Sequence, residues 1–503
     1  MPVRRGEPAA AEQRWSWIDL RLVPPAATVW GLTPVLRSWP ADVLLGVALA
    51  GALGGTALLL RSRAGRPSAA GTVLVGCLAA LTVVGALAAG HAHARAASPL
   101  PGLAAGDEVV PVVLELDDDP RALAGADPPR VLVPATVVEV AGRSIGGDPV
   151  LVFGQADQWT GLLPGQAVRL RVSVRPAEAG DDVLAVLSTR TSPVPVGGPG
   201  PLQSAAGGLR TGLADSAART LPDRPAGLLP GLVVGDTSAM DPALTAQFRR
   251  AGLSHLTAVS GANVAIMVAL VLWPLRARGT DRRVQAAVAA VAIVGFVVLA
   301  RPGASVLRAA VMGGVALLAL ASGRSRAAVP ALAAAVVVLL LVQPSLAGDA
   351  GFALSVAATA AIVLLSPSWS RSLRRRNVPR PVADALAVSA AAGLVTAPLV
   401  AALSGLVSVV SLPANLLAAP AVAPATVLGL LAALVSAVSP ATADVLTWLA
   451  GWPVRWLVVV AEQAAAVPDG ATGWPVGLRG ALLLTALLSG GAWRWSGGRG
   501  CGR

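Results

Sequence analysis

Lysine and tyrosine are absent from this chain, and histidine and cysteine are nearly so, with three and two copies. Without lysine there is no Walker A motif, because that loop needs a Lys after its glycines to reach the phosphates. Nucleotide hydrolysis by that route is excluded. Cys77 lies in an apolar run and Cys501 in the tail, so no disulfide framework is expected. His91 and His93 form an H-x-H pair with no third ligand evident beside it, and they read as interfacial histidines. No metal and no cofactor is expected. Charge is scarce as well, at 13% of residues against 55% hydrophobic, and all 39 basic residues are arginine. Codon bias in a GC-rich genome explains that uniformity better than chemistry does.

What the chain has is long apolar runs. A helix needs roughly 20 mostly apolar residues to cross the hydrocarbon of a bilayer. Such runs lie at Val43–Leu60, Ala69–Ala89, Leu253–Leu275, Val284–Ala300, Ala304–Ala321, Ala327–Val342 and Gly351–Leu365. Others are Val382–Leu403, Pro413–Val438, Val445–Val467 and Ala481–Trp493. The fold class is a polytopic α-helical membrane protein of about ten or eleven spans. Arg4, Arg5, Arg14 and Arg21 flank no run of signal-peptide length, so no cleavable leader is expected.

Arginine clusters orient the weave, since cytoplasmic loops are enriched in basic residues. The loops at Arg61–Arg66, Arg276–Arg283, Ser322–Arg326 and Ser370–Arg380 all fall on one side if the runs alternate. That places 98–203 outside. The proline-rich stretch Ser404–Val438, with Pro413, Pro420 and Pro424, is expected to be broken or re-entrant.

Residues 98–203 change character. Short β-branched runs at 109–116, 130–140, 149–153, 166–174 and 182–188 are separated by turn residues. Five short strands predict a small extracytoplasmic barrel or sandwich, and a five-stranded OB-like barrel fits the count. Its aromatics are Phe153 and Trp159, and it carries 13 acidic residues against 7 arginines. A docking role suits that charge better than direct nucleic-acid contact. The predicted organisation is a basic segment 1–40, a hairpin 41–97, the β domain 98–203, an amphipathic linker 204–252, a helical bundle 253–493 and a basic tail 494–503.

Polar residues gather where the bundle begins. Asp241-Pro242 starts a short amphipathic helix carrying Phe248, Arg249 and Arg250, read as an interfacial anchor or a basic mouth. His255 follows. Thr257, Ser260 and Asn263 recur at i, i+3, i+6, so one helix would carry them on a narrow arc, lining a pore or bonding a neighbour. Gly261 within the arc permits close contact or unwinding. Arg308 lies inside an apolar run, where an ionisable group costs at least ~2.5–3.5 kcal/mol and marks a pathway or a partner. Asp349 stands before the next run but one, so Arg308 and Asp349 could line a vestibule for a polyanion or pair with each other. Asn415 sits among the prolines of the suspected break.

GLVVGDTSAMDPALTAQFRRAGLSHLTAVSGANV (231–264) resembles the signature of ComEC-type competence proteins, inner-membrane channels for transforming DNA. RPGASVLRAAVMG (301–313), SLAGDAGFALSVAATAAIV (345–363) and LPANLLAAPAVAPATVLG (412–429) resemble further motifs of that family in the same order. There are departures: Asn263 stands where the family usually has His, and Ala350, Ala353 and Val356 replace the usual Pro, Gln and Phe. The resemblance implies a channel for single-stranded DNA in the cytoplasmic membrane, with a pathway through Asp236, Arg249, Arg250, His255, Thr257, Ser260, Gly261, Asn263, Arg308, Asp349, Phe352, Ser355 and Asn415. It also implies an external DNA receptor and a cytosolic translocase. The metallo-β-lactamase-like nuclease of longer members needs an H-x-H-x-D-H string that this sequence does not contain. Catalysis is therefore not expected here; the nuclease would be a separate polypeptide, or the chain is a truncated member. Two rivals stay open: a secondary transporter for a small anion, for which no internal repeat of spans is evident, and a non-transporting family member.

Overall fold

A computed structural model describes residues 20–62, 68–104, 109–123, 128–159, 161–177, 183–257, 259–301, 303–321 and 328–497. Arg4, Arg5 and Arg14, the Ser322–Arg326 loop, most of the Arg61–Arg66 loop, and Arg499, Cys501 and Arg503 lie outside those residues. Helices in chain order are α1 (Val23–Leu36), α2 (Ala41–Ser62), α3 (Ala69–Ala97), α4 (Leu100–Ala104), α5 (Ala156–Trp159), α6 (Pro201–Thr220), α7 (Asp223–Val234), α8 (Pro242–Arg250) and α9 (Gly261–Ala277). They continue with α10 (Arg282–Ala300), α11 (Ala304–Ala321), α12 (Ala328–Val342), α13 (Ala350–Arg374), α14 (Arg380–Ser404), α15 (Ser411–Ser436), α16 (Pro440–Ala466) and α17 (Gly477–Gly497). The strands are β1 (Val109–Leu116), β2 (Arg121–Ala122), β3 (Arg130–Val140), β4 (Arg143–Gln155), β5 (Ala167–Pro176), β6 (Ala185–Ser188), β7 (Val194–Pro195), β8 (Leu406–Ser408) and β9 (Ala471–Gly473).

Each predicted apolar run contains a helix, but the lengths differ from the expectation. Among the described residues seven helices (α2, α3, α10, α13, α14, α15 and α16) are long and apolar enough to cross a membrane, while α9, α11, α12 and α17 carry shorter apolar stretches. The protein is a multi-pass helical membrane protein. Two compact units make it up, one of residues 1–96, 281–286 and 311–349, the other of the remainder.

In the first unit, α1 packs along α12, and Trp30 Nε1 donates to the Ala347 carbonyl at 3.0 Å. α1 falls within residues 1–40, expected only as a basic segment; Pro24 in its first turn presets a helical φ. On α2, Leu45, Leu49 and Leu53 stay exposed at four-residue spacing while Leu44 is fully buried. A helix that leaves a leucine stripe uncovered is built to face lipid.

The second unit opens with the barrel. β1 pairs with β3, β3 with β4, β4 with β6 in parallel, β6 with β5, and β5 back to β1. This five-stranded closure, with one parallel pair, is OB-like. Strand residues alternate as the pleat demands: Val112, Leu114 and Leu116 point inward with Val133, Ala135, Val150, Val152, Leu170 and Val172. Trp159, on α5 between β4 and β5, is fully buried among them and is therefore core, not a stacking platform. Phe153 is partly covered and lies beneath Arg130, whose guanidinium sits 5.6 Å from the ring centroid.

Two expectations fail in the helical part. Leu253–Leu275 is not one helix, because the chain makes a 3₁₀ turn at Ser254–Leu256 and α9 starts only at Gly261. Nor is the proline-rich segment broken: α15 runs unbroken through Pro420 and Pro424. Pro420 has no N–H for the Leu416 carbonyl, and one residue on, Trp456 Nε1 of α16 donates to the Leu417 carbonyl at 2.8 Å. A neighbouring helix thus supplies a donor where the ladder is weakened. An unpredicted ribbon of β8 and β9 ties the chain after α14 to the chain after α16. It fixes the end of α14, the start of α15, the end of α16 and the start of α17 at one end of the bundle.

Candidate functional site

α8 is set by its cap. Asp241 Oδ1 accepts from the Ala243 N–H at 2.9 Å, and Pro242 fills the first helical position. Leu244 and Phe248, four residues apart, are buried as α8 packs on α16. The sequence reads this helix as lying on the membrane; its apolar side is covered by the protein instead. The supposed linker before it is likewise ordered, with α7 buried over most of its length. Arg224 of α7 pairs with Glu462 of α16 and lies 3.5 Å from Asp241, fastening the start of α8. Arg249 and Arg250 remain exposed and make no ion pair among the described residues.

The helix ends in a Schellman turn. Leu253 N–H donates to the Phe248 carbonyl at 2.8 Å and Gly252 N–H to that of Arg249 at 3.2 Å, with Gly252 at φ +70°. Distant residues close on this turn. Ser408 Oγ donates to the Arg250 carbonyl at 2.8 Å, and Asn415 Nδ2 donates to the Ser411 carbonyl at 2.8 Å and reaches that of Gly252 at 3.5 Å. His255 hydrogen-bonds the Gly252 backbone as well. Four predicted residues, Arg249, Arg250, His255 and Asn415, therefore meet around one turn.

His255 is exposed to solvent yet ringed by enough protein to hold its pKa below 6.5, burial being the larger cause and the Gly252 bond opposing it. Because the folded pKa lies below the unfolded one, the unfolded chain binds more protons between them. Stability carried by neutral His255 is full above about pH 6.5 and falls as pH drops through that value. His255→Gln is expected to flatten the pH dependence of thermal unfolding between pH 7 and 5; an unchanged profile would refute the assignment.

The second cluster joins α7 to α9. Gly235 ends α7 at φ +77°, where an added Cβ would lie 3.1 Å from Val259. Asp236 then accepts from the Ser238 N–H and hydroxyl at 3.1 and 2.6 Å. Asn263 is buried; its Nδ2 donates to the Leu232 carbonyl at 2.8 Å and its Oδ1 accepts from Ser260 Oγ at 3.3 Å. Thr257 bonds the Ser254 carbonyl at 2.9 Å within the 3₁₀ turn. The three residues predicted to share one helical arc do not, since the helix starts after the second of them. Gly261 brings α9 beside Ala309 of α11.

Arg308 is buried on α11 and stacks on buried Phe352 of α13, 5.3 Å from its centroid. Ser355 lies one turn further along α13, half-buried, and Asp349 is exposed in the loop before it.

Sequence reasoning missed a third group. Asp119, just after β1, accepts from Arg301 Nε and Nη2, both at 3.0 Å, and from Arg210 Nη2 at 3.2 Å. Arg210 Nη1 also donates to the Val234 and Leu299 carbonyls at 2.6 and 3.1 Å, and Arg301 reaches Gln203. Both arginines are buried, and Arg301 takes φ +68°, a strained value for a side chain of that size. Burial pushes the Arg210 pKa down while Asp119 opposes it. One carboxylate thus clamps the barrel to α6 and to the corner between α10 and α11. Asp119 and Arg301 lie 182 positions apart, which leaves no local signal to read. Among the described residues no group of three His, Cys, Asp or Glu side chains could hold a metal.

A family model described as Competence protein matches residues 232–497. Among curated proteins, "ComE operon protein 3" of Bacillus subtilis (strain 168) is 30% identical over 201 residues, which is 40% of this chain and 25% of that protein. The aligned region thus spans a quarter of that relative's length. No solved structure matches.

Proposed function

Since the chain belongs to the Competence protein family, we propose that it passes single-stranded DNA across the cytoplasmic membrane during natural transformation. The observation that carries this reading is coincidence. Asp236, the Arg249–His255 turn, Arg308 with Phe352, and Asn415 all fall within the family match at 232–497. The exposed Arg249 and Arg250 would attract phosphates beside His255. Buried Arg308, held on Phe352, would set the electrostatics further along. The barrel lies outside and positions the mouth through its clamp on Asp119. A receptor delivers duplex, a nuclease outside residues 1–503 removes one strand, and a cytosolic translocase supplies force.

The test follows fluorescent duplex DNA in cells with the gene intact, deleted, or carrying Arg249→Gln with Arg250→Gln. Deletion is expected to leave DNA bound outside and abolish its arrival in the cytosol. The double variant should reach normal membrane levels yet take up less DNA. Its purified form should bind single strands with a log–log salt slope shallower by about 1.4, as for two lost phosphate contacts. Unchanged uptake after deletion, with redundant uptake genes removed, would overturn the reading.

A further inference from the structure

α13 and α14 form an antiparallel hairpin whose turn carries Arg374, Arg375, Arg376 and Arg380. Between the last turns of α13 and the first of α14 lies an open cavity of about 300 Å³. Ser370, Arg371, Arg374, Arg380, Asp384 and Val388 bound it. The single carboxylate is already engaged: Ser370 Oγ donates to Asp384, and Arg380 Nε lies 3.8 Å from it. Arg371 and Arg374 line the cavity with no ion pair among the described residues. The first N–H groups of α14 add partial positive charge at the same place. The cavity therefore has a surplus of positive charge and spare donors suited to a phosphate.

Its other wall is apolar. Val388 borders the cavity, and Leu364, Leu394 and Val395 continue as exposed apolar surface along two helices long enough to cross a membrane. Trp369, half-buried beside the arginines, stands where interfacial tryptophans gather. We propose that this cavity binds the phosphodiester headgroup of an anionic phospholipid, with the acyl chains along the exposed apolar side of α13 and α14. Basic pockets between membrane helices bind lipid headgroups by this arrangement. A single strand of DNA would need stacking platforms, and Trp369 is the one aromatic residue between 353 and 404. The inference holds whatever passes through the bundle.

The test uses the full chain in nanodiscs of phosphatidylcholine with or without phosphatidylglycerol, followed by native mass spectrometry of lipid retained in detergent. Wild type is expected to retain phosphatidylglycerol over phosphatidylcholine. Arg371→Gln with Arg374→Gln should lower that retention about 30-fold, and the paired Lys variant should keep most of it. Should the double Gln variant fail to fold, Arg374→Gln alone replaces it, with several-fold weaker retention expected. Equal retention of both lipids, or undiminished retention by the Gln variant, overturns the proposal. Displacement of phosphatidylglycerol by equimolar inorganic phosphate or by an oligo-dT strand would also overturn it, assigning the cavity to free phosphate or to nucleic acid.

Discussion

Asp119→Ala is expected to cost about 3 kcal/mol of stability, the low end for removing one partner of a buried ion pair. The low end applies because the Asp119 side chain keeps 30% of its exposure, whereas those of Arg210 and Arg301 keep 10% and 7%. Two guanidiniums would stay behind in a site that water barely reaches. Arg301 also loses its reason for φ +68°, a conformation that ordinary side chains avoid. Thermal unfolding of the purified full chain should show the loss, and protease should then cut faster between the barrel and α6. Adding Arg301→Met to Asp119→Ala is expected to recover part of the stability by removing an uncompensated charge. A loss below about 0.5 kcal/mol for Asp119→Ala, the scale of an ordinary surface substitution, would mean the clamp is ornamental.

Gly252→Ala should be the other severe change. Its added Cβ would fall 2.4 Å from the Ser411 Cβ, at a residue with φ +70°. The left-handed backbone costs about 1–2 kcal/mol for a non-glycine residue, and overpacking adds about 1–3. The clash has a specific remedy: Ser411→Gly in the same chain removes the obstructing atom and should return the steric share, leaving the backbone share. The turn also aims Arg249, Arg250 and His255, so the single variant should lose DNA uptake and the double variant should regain part of it. Failure of Ser411→Gly to restore anything would show that the approach of α15 to this turn does not matter.

Much of the architecture is legible because hydropathy and strand alternation are local. The run at 130–140 is β3 to the residue, and the runs at 109–116 and 166–174 mark β1 and β5 closely. The errors fall where partners decide. Thr257, Ser260 and Asn263 have helical spacing, yet the carbonyl of Leu232 draws Asn263 into the interior and the chain turns at Ser254–Leu256 before α9 begins. Pro420 and Pro424 read as breakers, but α15 runs unbroken through them, packed along α16.

By itself, then, the sequence determined the class of the protein. A chain this apolar must put its helices in lipid, and five short alternating runs point to a small barrel or sandwich. Only the tertiary structure decided which residues of the candidate site meet. It brought Asn415 to Gly252, stacked Arg308 on Phe352 and paired Asp119 with Arg301, because packing decides which groups meet, however far apart they lie along the chain.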